Sequence, residues 1–446
     1  MSLLNGNDLI ETVKKENVKL VELQFSDIDG QIKSVTIPEH KLEDAMERGQ
    51  WFDGSSIQGF TRIFESDMYL KPDVGTFRII PWRSQNNHKE ARIICDVYTP
   101  DNKPFEGDPR QILRRAVEKA KDVGFDYYTG PELEFFLFQT KDGVAQTVPH
   151  DAGSYFDFAP RDLASDVRRD IIFSLEKMGL EVEASHHEVA FGQHEIDFKY
   201  GKALETADNV NTFKYATKAV AQAHDLYASF MPKPIYGING SGMHVHQSLF
   251  KGNKNVFFDA DNEYKLSNVA RHFIAGQLEH AKALAAIVAP TINSYKRLVP
   301  GYEAPVYISW GQVNRSALIR IPRYSEGRES STRAELRCPD PSTNPYLAFA
   351  AMLSAGMEGV KRKLEPPEPV EESLYDMSNE KILNRGIRTL PENLREAVIA
   401  LEEDSLMKDT LGEHCFNQYI EAKKTEWRDY AKQVSKWELD RYLEKI

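Results

Sequence analysis

The sequence predicts an α+β fold divided into two domains. Three observations lead there. The chain has 446 residues, more than one ordinary domain holds. Its first hundred residues are dominated by short strand patterns. The remainder alternates helical patterns with short strands at no fixed period.

Asn7 or Asp8 is placed to cap an amphipathic helix through Leu9, Ile10 and Val13. Residues 18–25 and 31–37 read as strands flanking the turn Asp27-Ile28-Asp29-Gly30, and 77–81 and 91–97 as further strands. Residues 99–109 are dense in turn formers and precede a helix near Arg110, so we divide the chain into residues 1–104 and 105–446. Beyond that point, residues 111–123, 162–178, 206–230 and 270–288 carry helical periodicity. Residues 344–446 are mostly helical by pattern, with interleaved acids and bases that read as solvated helix faces.

A net charge of −12 carries no nucleic-acid footprint, and anionic substrates would need local basic groups or cations. Cys95, Cys338 and Cys415 form no C-x-x-C pair, which argues against a disulfide framework or a structural zinc and suits a reducing cytoplasm. The N-terminus has no basic patch followed by an apolar segment, and no run of eighteen apolar residues occurs. The expectation is a soluble protein without a membrane span.

Period-two alternation in Pro131-Glu132-Leu133-Glu134-Phe135-Phe136 puts Glu132, Glu134 and Phe136 on one strand face. That face is either a solvated edge or a buried one, and buried carboxylates must be paired or bind a cation. Residues 183–197 crowd acids and histidines around Gly192, a hairpin able to aim Glu188 and Glu195 at one point, or a polar surface loop. In Asn239-Gly240-Ser241-Gly242-Met243-His244-Val245-His246, two glycines permit close backbone approach to a ligand before a strand with both histidines on one face. Such histidines either bind metal or satisfy local hydrogen bonds. Arg297, Arg315 and Arg320 supply guanidinium forks suited to carboxylate and phosphate. Arg333, Glu335 and Arg337 share a face by alternation, as ligands or as a salt-bridged surface.

Five glutamates and one histidine favour Mg²⁺ or Mn²⁺ over zinc. Hard cations among arginines are the equipment of phosphoryl transfer from ATP, yet neither a Walker A loop nor a kinase glycine-rich loop is present.

These motifs, together with Phe52-Asp53-Gly54-Ser55-Ser56 and residues 296–305 and 333–341, occur in an order that resembles type I glutamine synthetase over nearly the whole length. The alpha subgroup of bacteria and archaea is the one it resembles. The resemblance implies a small N-terminal β-grasp domain and a large catalytic α+β domain with a curved antiparallel sheet. It also implies a dodecamer of two stacked hexameric rings, with sites shared between subunits. Its substrates would be L-glutamate, ammonium and ATP, with two or more Mg²⁺ or Mn²⁺ per site.

Carried over residue by residue, Glu134, Glu188 and Glu195 would hold one cation and Glu132, His244 and Glu335 the other. Asn239, Gly240, Arg297 and Arg337 would bind glutamate. Glu183, His246, Ser248 and Arg320 would contact ATP, and Arg315 the transferring phosphoryl group. Asp53, from a neighbouring subunit, would take a proton from ammonium, and Glu303 would close over the γ-glutamyl phosphate intermediate. Arg62 would serve glutamine feedback, although Phe64 stands where an acid is common. Residues 386–391 lack an adenylylation tyrosine, Phe191 replaces a usual proline, and residues 324–329 lengthen a loop. The resemblance admits small regulatory proteins as partners. A ligase joining glutamate to a larger amine would share the ATP and metal groups and differ around Asp53. An inactive homologue would have lost a ligand or base, and none is missing.

Overall fold

Two sheets organise the chain in the computed structural model, which describes residues 6–59, 67–84, 88–300 and 304–446. The N-terminal part runs α1 (Gly6–Lys15), β1 (Val18–Ser26), β2 (Ile32–Pro38), α2 (Leu42–Arg48), β3 (Gln50–Asp53), β4 (Asp67–Pro72), β5 (Arg78–Ile79) and β6 (Lys89–Tyr98). Its strands order β2-β1-β6-β4-β3, with β5 on β6 and β1 parallel to β6. Leu9 and Val13 of α1 pack with Val21, Leu23 and Ile93, the helix-on-sheet arrangement of a β-grasp. The strand expected at 77–81 shrinks to Arg78–Ile79. Residues Val74–Thr76 and Pro81–Arg83 form 3₁₀ turns around it, and Pro81 has no N–H to give a ladder.

The larger part begins with α3 (Pro109–Asp122), which Asp108 caps through the Arg110 N–H. It continues through β7 (Asp126–Lys141), β8 (Val144–Pro149), α4 (Ser165–Lys177), β9 (Val182–His187), β10 (Gln193–Phe198), β11 (Gly201–Lys202) and α5 (Ala203–Ala223). Next come β12 (Leu226–Ser229), β13 (Met243–Lys251), β14 (Lys254–Asn255), α6 (Asn268–Glu279), α7 (Ala281–Val288) and α8 (Ser294–Arg297). Then follow β15 (Tyr307–Gly311), β16 (Ala317–Arg320), β17 (Ala334–Leu336) and α9 (Pro345–Arg362), with further helices to Tyr442.

Eleven strands form the second sheet, ordered β15-β16-β17-β13-β7-β10-β9 along its main path. The expected antiparallel pairing has one exception, the parallel pair β15 and β16. The helical pattern expected over 206–230 stops at Ala223, where Asp225 takes a left-handed φ of 57° and β12 turns Leu226 and Ala228 into the core beside β7. The pattern over 270–288 divides into α6 and α7 at His280.

Long β7 separates two environments. Leu133, Phe135 and Leu137 enter the main core with Ile171, Phe213 and Ile274, while Glu132 and Glu134 face the other way. Phe136 and Phe138 share the carboxylate side but form a separate apolar patch with Ala190. The two parts of the chain are tied by Arg110, which pairs with Asp73 and Asp96 on one side and Asp208 of α5 on the other. Among the described residues, no helix is long and apolar enough to cross a membrane.

Candidate active site

The register of β7 with its neighbours assembles the acids. Glu195 of β10 lies opposite Glu134, Asp197 opposite Glu132, and His244 of β13 opposite Glu132 from the other edge. One strand further, Glu335 of β17 faces His246, and Arg320 of β16 faces Glu335. Directly opposed residues share a face, so four strands deliver carboxylates and imidazoles to one side of the sheet.

At one end stand Glu134, Glu188 and Glu195. Glu188 lies in the β9–β10 turn, and ligand atoms of Glu188, Glu195 and His186 lie within 4.8 Å of one another. Glu134 accepts from the Gln193 amide at 2.8 Å and the Gly242 N–H at 2.9 Å. Burial, then the nearby Glu188, pushes the Glu134 carboxyl up to about 8. Burial and Glu134 raise Glu195 well above the ordinary range. Buried carboxyls raised by their own proximity need a proton or a cation, and an oxygen-rich donor set with imidazole fits a hard divalent ion.

The other end is lined by cations. His246 Nε2 stands 2.7 Å from Glu132 Oε1, and His244 Nδ1 lies 3.7 Å from both Glu132 and Glu335. Glu335 is fully buried and receives Arg337 at 2.6 Å and the Arg320 Nε–H. Burial opposes its ionisation, but His246, Arg337, His244 and Arg320 outweigh that and hold it at about 2. Glu132 is likewise held far down, its burial overcome by hydrogen bonds from His244 and His246. Burial and Arg337 draw the His244 imidazole down to about 4, which leaves it neutral and able to ligate at neutral pH. Ligand atoms of Glu132, His246 and Glu335 also fall within 4.8 Å of one another.

Next to this end opens a cavity of about 430 Å³, lined by Glu183, His246 and Ser248, and by Arg328 from the loop between β16 and β17. Arg320 is turned toward Glu335 and Arg315 is exposed between β15 and β16. At the carboxyl-rich end, the buried Arg297 guanidinium donates to the carbonyls of Arg337, Cys338 and Pro339, close behind Gly242. Gly240 offers its carbonyl to Gln193 at 3.1 Å, and Asn239 precedes it on the same loop. Asp53 is exposed on β3 of the other sheet, where its Oδ1 takes the Ser55 N–H at 2.8 Å. Arg62, Phe64 and Glu303 lie outside the described residues.

Sequence reasoning passed over His186, Gln193 and Asp197, while it placed Arg333 on a face with Glu335 and Arg337. The three passed over follow from alternation, each two residues from a singled-out glutamate on the same strand or its turn. Arg333 Nε donates to His246 Nδ1 at 3.1 Å and so sets that ring. Behind the sheet, His187 Nε2 meets Asp151 at 2.9 Å and Asp151 also takes the Gly192 N–H at 3.0 Å, bracing the turn that carries Glu188.

A β-grasp joined to a carboxylate-lined sheet between a cation-rich cavity and an arginine-backed loop defines a metal-dependent ligase. The glutamine synthetase β-grasp and catalytic-domain family models match residues 17–100 and 106–442. The chain is 54% identical to the glutamine synthetase of Clostridium saccharobutylicum over 446 residues, all of both chains. It is 55% identical to that of Methanosarcina mazei, over 98% of this chain and 97% of that one. Plasmodium falciparum glutamine synthetase superposes with a TM-score of 0.89 at 28% identity, covering 99% of each chain. A GmaS/ADP complex does so with a TM-score of 0.87 at 32% identity, covering 98% of this chain and 99% of that one. The chain belongs to the glutamine synthetase family.

Proposed function

We propose that this chain ligates ammonia to the side-chain carboxylate of L-glutamate, with ATP phosphorylating that carboxylate first. The observation that carries the reading is the strand register that gathers Glu132, Glu134, Glu195, His244 and Glu335 on one face between two differently charged ends. Glu134, Glu188 and Glu195 would hold one Mg²⁺ or Mn²⁺, and Glu132, His244 and Glu335 the other. Bound there, such ions neutralise carboxylate and phosphate charge.

The chain's own groups do the rest. Asn239, Gly240, Arg297 and Arg337 seat glutamate, with Arg297 fixed by its carbonyl partners so that little ordering remains at binding. The cavity by Glu183, His246 and Ser248 takes the nucleotide, and Arg320, held on Glu335, faces the phosphates. Arg315 reaches the transferring phosphoryl group, and Glu303 shields the acyl phosphate from water. Asp53 of a neighbouring subunit attracts ammonium and accepts its proton. This requires an oligomer, a dodecamer on the family pattern, in the cytoplasm. A larger amine as nucleophile is less well supported, because relatives at 51–55% identity carry the glutamine synthetase name.

ADP release with substrates omitted one at a time tests the reading. Turnover should require glutamate, ammonium and a divalent cation together. Equal turnover without glutamate, or with methylamine preferred to ammonium, overturns it.

A further inference from the structure

Away from the acids, a cavity of about 620 Å³ lies between the β1–β2 turn, α5 and the helix Glu413–Tyr430. One stripe of α5 lines it. Asn211, Lys214, Tyr215 and Lys218 recur at the three- and four-residue spacing that puts side chains on one helix face. A third ammonium, Lys423, is already committed to Asp29 at 3.0 Å and Glu426 at 3.2 Å.

The α5 lysines differ. Lys214 donates to the Thr343 carbonyl at 3.0 Å, Lys218 lies 5.8 Å from the Phe230 ring centroid, and neither has an ion pair among the described residues. Burial, with Lys218 one turn away, draws the Lys214 ammonium down to about 7. Asn211 is 5% exposed, and its Oδ1 has no hydrogen-bond partner among the described residues. Two neighbouring lysine amines with no ion-pair partner among the described residues, Asp340 acting on Lys214 only at longer range, beside a spare buried acceptor, favour an anion that also carries a hydroxyl.

We propose that this cavity binds a small hydroxyl-bearing anion, hydrogen phosphate or a hydroxycarboxylate, through Lys214 and Lys218, with Asn211 accepting from its hydroxyl. The cavity wall also backs the glutamate end of the other site. Met231 and Pro232 line the cavity, while the Pro232 carbonyl takes the Ser241 N–H at 2.8 Å and abuts Gly240. Asn293, also in the wall, takes the Lys233 N–H at 2.7 Å. An occupant therefore presses on the segments carrying Asn239, Gly240 and Arg297, so its binding and that of glutamate are coupled. Anion binding stands without the proposed reaction, and only this coupling rests on it.

The test is residue-resolved lysine acetylation of the full-length protein by a small activated ester, read by mass spectrometry. Inorganic phosphate, malate (a hydroxycarboxylate) and chloride are compared at matched ionic strength. Labelling of Lys214 and Lys218 should fall about threefold or more with phosphate or malate at millimolar concentration, while exposed Lys432 and Lys436 stay constant. Which of the two protects identifies the anion class. Lys218→Gln, at the cavity mouth, should raise the concentration needed to protect Lys214 about tenfold. Equal protection by chloride, no protection, or protection unchanged in Lys218→Gln overturns the proposal.

Discussion

Gln193 joins a candidate metal ligand to the loop proposed to seat glutamate: one side-chain amide donates to Glu134 at 2.8 Å and to the Gly240 carbonyl at 3.1 Å. Both contacts are made from a side chain 1% exposed, so losing them leaves buried oxygens unsatisfied. Gln193→Leu keeps the volume and removes both donations. We expect Mn²⁺ affinity to fall about tenfold or more, and the glutamate KM to rise with it, while far-ultraviolet circular dichroism is unchanged. Isothermal titration with Mn²⁺ checks this, and wild-type affinity in the variant refutes the coupling.

Glu132 and Glu134 leave the same strand face toward different ends, one among His244 and His246, the other among Glu188 and Glu195. Their amides should therefore fail differently. Glu134→Gln is expected to raise the glutamate KM far more than the ATP KM, and Glu132→Gln the reverse, each by about tenfold or more. Identical kinetic profiles for the two variants would count against separate roles.

The carboxyl-rich end makes metal-free stability depend on pH. Glu134 titrates near 8 in the folded chain and Asp197 near 6, both above their unfolded values. Between about pH 4.5 and 8 the folded state thus binds more protons than the unfolded state, and these groups lower stability as pH rises. Glu134→Gln removes one such group, so its melting temperature without metal should exceed that of wild type at pH 8 and approach it at pH 5. Added Mg²⁺ should stabilise wild type more at pH 8 than at pH 6, because ligation displaces protons. Differential scanning fluorimetry reads both, and parallel pH curves for the two proteins would refute the assignment.

Much of the site was legible because a strand has period two. Glu132 and Glu134, His244 and His246, and Arg333 and Glu335 could be placed on common faces from spacing alone. Strand register was not legible: that Glu195 falls opposite Glu134, about sixty residues away in sequence, is decided by sheet pairing rather than local pattern. His186 and Gln193 were legible by the same alternation, but adjacent glutamates drew the reading. Strand β12 was hidden because Leu226 and Phe230 continue a helical spacing, and only the left-handed Asp225 breaks it. The lysines of α5 gave no signal, since a helix face turned to a cavity reads like one turned to water.

Asp53 stands on β3, on a different sheet from the gathered acids, with one oxygen held by the Ser55 N–H. If it deprotonates ammonium, the amide cannot replace it. Asp53→Asn should keep ADP affinity within about twofold while ammonium-dependent turnover drops about 10²-fold or more. Turnover near wild type would remove Asp53 from the reaction.

Gly240 and Gly242 flank the same loop but tolerate a side chain differently. A Cβ on Gly240 would sit 2.2 Å from the Pro232 carbonyl oxygen, which is backbone and already receives the Ser241 N–H. A Cβ on Gly242 would meet the far end of the Arg297 guanidinium at 2.6 Å, which can swing aside only by giving up its carbonyl partners. Gly240→Ala must therefore move the loop itself, at a cost of about 1–3 kcal/mol, whereas Gly242→Ala moves one arginine. Displacement of a substrate loop by about an ångström costs about 10²-fold in kcat/KM. We expect Gly240→Ala to lose that much for glutamate with a lower melting temperature, and Gly242→Ala to raise the glutamate KM with a smaller fall in melting temperature, from the hydrogen bond that Arg297 gives up. Equal melting temperatures for the two variants would show that the Pro232 contact yields without cost.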